Sequence, residues 1–180
     1  MNRLLTLCLA AVASLLSIDA PAERADREKP MSVESDRMTA DDSNKILTFE
    51  GRVVITQGTM ILRADRVTLR EDRDGTKSAS AVGTPARFRQ KRDNVNEWID
   101  GEAERIEFDG RTERVELFVR ARLSRGKDEV RGNYIAYDQK TDFFRVQHTK
   151  DGTAPGGETG RIQAVLQPRP KAGAREIGAP

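Results

Sequence analysis

Between Pro30 and Pro168 the chain is written with a period of two, and the period slips at matching places in four related segments. Val115, Leu117, Val119, Ala121 and Leu123 alternate with Glu116, Phe118, Arg120 and Arg122, and Leu47, Phe49, Gly51, Val53 and Ile55 alternate around Thr48, Glu50 and Arg52. An apolar row on one face and a charged row on the other is the signature of a half-buried antiparallel strand. The slips fall in Val33–Met38, Leu62–Val67, Gly101–Ile106 and Val130–Ile135. Each carries a small residue (Ser35, Ala64, Ala103, Gly132) with an apolar residue three places on, and the small residues stand 29, 39 and 29 positions apart. Leu62 and Ala64 lie in one alternation while Val67 and Leu69 lie in the other, as when a bulge or corner re-aims a strand. Asp65 and Glu104 occupy equivalent places in this pattern and read as corner residues, not as a catalytic pair. A second pattern interleaves at Gly51–Gln57, Gly83–Gln90 and Val119–Arg125, the middle copy carrying one extra residue at Pro85. Together they predict an all-β chain of strand, turn, strand, corner, strand, stacked into a slender two-walled sheet.

Turn chemistry supports this division. Asp74-Gly75, Asp109-Gly110 and Asp151-Gly152 are hairpin dipeptides, and Gln57-Gly58 and Arg125-Gly126 separate two further strand pairs. Pro85, the one proline between positions 31 and 154, is expected at an edge or bulge, because proline cannot donate to a ladder. The ends are different. Residues 1–22 read as a cleaved signal peptide: Arg3, then an apolar run from Leu4 to Ile18, then Ala20-Pro21-Ala22. That run is short for a membrane span, which needs about 20 apolar residues. Residues 23–30 read as a flexible leader, 31–167 as one β domain, and the proline- and glycine-rich stretch 168–180 as a flexible tail. Cys8 leaves with the signal, so the chain is bound for an extracytoplasmic space without a disulfide framework.

Composition narrows the function. Lys plus Arg number 31 and Asp plus Glu 29, a net charge of +2, which argues against a nucleic-acid partner. One histidine and one cysteine leave no Cys/His zinc set and no catalytic unit beyond His148 alone, which reads as structural. Asp72-Arg73-Asp74-Gly75 lacks the later ligands of a calcium loop and reads as a hairpin turn. No phosphate-binding glycine loop is present. No catalytic residue, metal or cofactor is therefore assigned, and an enzyme acting on cell-wall polymers lacks the clustered carboxylates it would need.

The inward face allows two readings. By alternation it holds Val33, Phe49, Val53, Ile55, Met60, Leu62, Val67, Leu69, Phe88, Ile106, Phe108, Val115, Leu117, Val119, Leu123, Ile135 and Tyr137. These rows could close into a solid core. On pattern alone a solid core is favoured; the sharper reading is an open groove for apolar guests, since small residues (Ser35, Ala64, Ala103, Ala121, Gly132) recur among them and Trp98 is the single tryptophan.

The stretch from Met31 to Val146, through the strings SVESDRM, LTFEGRVVITQGTMILRADRVTL, GTPARFRQKRDN, GEAERIEFD and VRGNYIAYD, resembles the OstA-like (LptA-type) family of periplasmic lipopolysaccharide-transport proteins. Val119 stands where the motif has glycine, and Ile162–Leu166 matches only loosely. The resemblance implies a twisted, repetitive antiparallel β-jellyroll, open at both ends, whose apolar interior groove shelters the acyl chains of lipopolysaccharide. It implies lipid contact at Met31, Val33, Phe88 and Phe108, and makes the rest of the inward row, Val119 and Ile135 excepted, candidates with them. It further implies a periplasmic bridge that takes lipopolysaccharide from an inner-membrane partner of the LptC type and passes it to an outer-membrane partner of the LptD type. A membrane-anchored relative of the same fold is the alternative. Unpaired edges at both ends of such a sheet predict head-to-tail association with further copies of the chain.

Overall fold

Among the described residues the turn dipeptides cut the chain where the alternation says they should. The computed structural model describes residues 26–92, 95–148 and 161–168. The signal peptide, residues 23–25 of the leader, the Asp151-Gly152 turn and residues 169–180 of the tail lie outside the described residues. The described chain forms β1 (Met31–Glu34), β2 (Arg37–Asp41), β3 (Ile46–Gln57), β4 (Met60–Glu71), β5 (Lys77–Lys91), β6 (Trp98–Asp109), β7 (Arg114–Arg125), β8 (Asp128–Asp138), β9 (Phe143–Gln147) and β10 (Gln163–Val165). All pair antiparallel in one sheet of order β1-β3-β4-β5-β6-β7-β8-β10, with β2 also on β3 and β9 also on β8. Among the described residues the sheet does not close, and no helix is long and apolar enough to cross a membrane.

Each long strand breaks register in mid-course: between Glu50 and Val53 in β3, Arg63 and Arg66 in β4, Val82 and Ala86 in β5, Glu102 and Arg105 in β6, and Phe118 and Ala121 in β7. The breaks line up across the sheet, so the single sheet folds along one crease into two walls. The first wall holds β2, β9 and the halves of β3 to β8 that pair with them; the second holds β1, β10 and the other halves. Pro85 sits in the β5 break, where no ladder bond is asked of it.

The crease explains the interleaved patterns. Gly51 and Arg52 have φ of 80° and 47°, and Val119 and Arg120 have 66° and 51°, so two consecutive left-handed residues turn β3 and β7 through the corner. Glycine takes that conformation without penalty, while a β-branched residue does not. The two extra residues also swing Val119 out to 41% exposure, which corrects its assignment to the inward row. Ser35, counted among the inward small residues, is likewise exposed, because it stands in the break between β1 and β2. On the outer side of the crease the Arg52 guanidinium donates to Asp36 at 2.5 Å, Thr84 Oγ1 to Asp65 at 3.4 Å and the Arg120 backbone N–H to Asn133 at 3.3 Å, while Arg120 pairs with Glu104 at 2.7 Å. Asp65 and Glu104 are thus corner residues.

The described part of the leader is tied to the sheet. Asp26 is only 5% exposed. It accepts bonds from the Thr59 backbone N–H at 2.9 Å, from Thr59 Oγ1 at 2.5 Å and from Gln90 Nε2 at 3.4 Å. Gln57 Nε2 donates to the carbonyls of Arg27 and Lys29, at 3.2 and 3.0 Å. The segment from Asp26 is held because the β3–β4 turn offers it donors, a cue that a charge-rich stretch does not show on its own.

Candidate functional site

Two walls meeting at a crease enclose a wedge, and side chains fill only part of it. Toward β7 and β8 the interior is solid: Ile99, Leu117, Ile135 and Tyr137 are buried, each such side chain worth about 1.5–3 kcal/mol. Toward β1–β5 a cavity of about 860 Å³ remains. Its walls are apolar, from Met31, Ile55, Met60, Leu62, Leu69, Phe88, Ile106, Phe108 and Val115, with Ile46, Leu47, Ala79 and Ala81 beside them. Phe88 keeps the wall smooth because its partner across the ladder is Gly101. A Cβ on Gly101 would stand 2.0 Å from the Phe88 ring, so only glycine lets the ring lie flat against β6.

Nine of the candidates therefore come together on the cavity. Met31 stands at its mouth, 43% exposed. The other seven do not reach it. Phe49, Val53, Val67, Leu117, Leu123 and Tyr137 are buried in the core, and Val33 packs against that core half-buried. Alternation places all of these on the inner face, but whether an inner face is packed or hollow depends on how far apart the walls stand. That separation is not written in any one strand. Of the four apolar cavity residues beyond the candidates, Leu47 belongs to an alternating row, and Ala79 and Ala81 are too small to read as a wall.

The cavity rim is polar. Lys45, Arg70, Glu71 and Lys77 stand on the first wall's lip, and Arg27, Lys29, Gln57 and Gln90 on the second's. Farther along, the lips touch. Arg27 meets Glu113 at 2.6 Å and Gln139 at 3.2 Å, Gln139 Nε2 donates to Gln90 Oε1 at 3.2 Å, and Asp142 receives both Arg92 and Arg125. On the outer face the Arg122 and Arg131 guanidiniums hold the Glu129 carboxyl down at about 2. Tyr134 moves the other way, raised by burial and by its bond to Glu116. His148 lies half-buried beside a second, polar hollow of about 520 Å³ with Arg120, Arg122 and Arg161. Among the described residues no group of three or more His, Cys, Asp or Glu side chains could hold a metal ion.

Residues 32–143 match the family model described as "LptA/(LptD N-terminal domain) LPS transport protein". The lipopolysaccharide export system protein LptA of Haemophilus influenzae is 31% identical over 157 residues, covering 86% of each chain. The lipopolysaccharide export system protein LptH of Pseudomonas aeruginosa is 31% identical over 173 residues, covering 93% of this chain and 96% of that one. Escherichia coli K12 LptA is 32% identical over 147 residues, covering 78% and 79%. The crystal structure of Pseudomonas aeruginosa LptH, described as the LptA-homologous periplasmic component of a lipopolysaccharide transport device, superposes with a TM-score of 0.71 at 28% identity. The superposition covers 79% of this chain and 99% of that one.

Proposed function

Because the chain belongs to the LptA/LptD N-terminal family of lipopolysaccharide transport proteins, a family of transporters and not of enzymes, we propose that it is a periplasmic carrier whose cavity shelters lipopolysaccharide acyl chains. The observation that carries this reading is the 860 Å³ apolar cavity with its charged rim. A methylene moved out of water gains about 0.8 kcal/mol, so a lipid with several acyl chains does not cross an aqueous gap unaided. Between two apolar hollows of like chemistry the transfer is close to neutral. Direction then comes from a partner that spends energy, and this chain is a passive conduit.

In this reading the lipid arrives from an inner-membrane partner of the LptC type and leaves to an outer-membrane partner of the LptD type. Among the described residues the β1/β2 and β9/β10 edges carry no further strand and can add one from a neighbour, another copy of this chain included, so that cavities join end to end. The phosphate-bearing headgroup stays in water at the rim, where Lys29, Lys45 and Lys77 supply positive charge.

Photo-crosslinking tests the reading. A photoreactive residue at Phe108, on the cavity wall, is expected to capture lipopolysaccharide; one at Glu107, on the opposite face of the same strand, is not. Equal capture at both positions, or none at Phe108, would contradict it.

A further inference from the structure

The cavity does not run the length of the molecule. It ends where Gln139 bonds Gln90, and beyond that point the two lips are stitched together while the space beneath is filled. The stitching centres on Asp142, in the turn between β8 and β9. Its carboxylate receives Arg92, from the end of β5, and lies 3.5 Å from Arg125, at the end of β7, both on the opposite lip. The same carboxylate accepts the Tyr137 hydroxyl at 3.0 Å, and Tyr137 is among the largest fully buried side chains of the filled half. Arg92 is not a loose surface partner: its side chain is 15% exposed and is also held by Glu97 at 2.5 Å. Among the described residues no hydrogen bond or ion pair crosses from the β2–β3 or β4–β5 turn to the facing lip, so the open half has no such stitch.

We infer that Asp142, with Arg92, Arg125 and Tyr137, forms a seam that gates lipid passage into the β7–β9 half of the molecule. The inference rests on the carrier function proposed above. A lipid handed toward the β9/β10 edge has to travel under this seam, and the filled interior leaves it no room while the seam is shut. Because Asp142 ties the lip cations to the buried Tyr137, parting the lips also draws on Tyr137, so lip and core move together. A lipid opens such an element only by binding the open form better than the closed one. The half near β1–β5, already hollow and unstitched, is the receiving half.

The test uses the full chain carrying Cys8→Ser, Arg92→Cys and Asp142→Cys, with a photoreactive residue at Phe144 or at Phe108 and lipopolysaccharide as the probe. Phe144 pairs with Tyr137 across the ladder and packs against the core of the closed half. With the two thiols free, capture is expected at both positions. With the thiols bridged by a bifunctional reagent, capture at Phe144 is lost and capture at Phe108 stays. Undiminished capture at Phe144 after bridging would overturn the seam. So would capture at Phe108 alone in every form, which would make the far half a permanent core. Capture at neither position would remove the carrier reading and the seam with it.

Discussion

At the scale of a residue, Val119 shows how a motif departure becomes physical. The sequence marks it as a valine in a glycine slot, and the slot is a left-handed pair like Gly51-Arg52. A left-handed non-glycine residue costs about 1–2 kcal/mol, whereas glycine adds roughly 0.5–1 kcal/mol of unfolded-state freedom. Val119 is 41% exposed and lies outside the hydrophobic core, so Val119→Gly is expected to stabilise the chain by somewhat under about 1 kcal/mol, a rise of about 2 °C in Tm. A fall in the melting temperature would show that the valine makes a contact worth more than its strain. The left-handed geometry itself could not be read from Val119, because nothing about valine announces it; only the match to Gly51 in the repeat does. Asp26 is the converse case, an acidic residue in a stretch of mixed charge whose burial depends on a turn more than thirty positions away.

At the scale of an element, the strands and their corners were legible and the packing between walls was not. Phase slips at Ala64 and Ala103 told where β4 and β6 bend, because a bulge changes which face an odd-numbered position takes. The β7–β8 hairpin adds an electrostatic feature visible only when the strands are paired. Glu129 lies two residues from Arg131 in sequence and diagonally across the ladder from Arg122, and together these guanidiniums lower its carboxyl from an ordinary value of 4.5 to about 2. A depressed folded-state value means that the ionised form stabilises the fold. That contribution is complete above about pH 4.5 and is lost as pH falls toward 2. Glu129→Gln should therefore flatten the acid dependence of stability in that window and lower stability at neutral pH. A denaturation midpoint measured against pH checks both. An unchanged acid limb would mean that the pair contributes nothing.

At the scale of the whole molecule, the inner rows read from alternation divide into a hollow half and a packed half. Each strand records only which side faces in; the distance between walls is set by all the corners and by the lip contacts together. Among the described residues the open sheet also leaves two edges. Light scattering is expected to show mass growing with concentration without a plateau, as heterologous, non-closing strand addition requires. A strictly monomeric profile at high concentration would contradict end-to-end assembly while leaving the cavity untouched. The cavity itself is tested most directly by filling it. Ala79 lies on its wall, and Ala79→Trp would occupy the space proposed to hold acyl chains. The decisive measurement is the lipopolysaccharide binding isotherm of this variant against the unmodified chain, with circular dichroism verifying that the sheet is intact. The account predicts that a folded Ala79→Trp chain loses binding. Undiminished binding by the folded variant would contradict it, because the acyl chains would then be held somewhere other than between the walls.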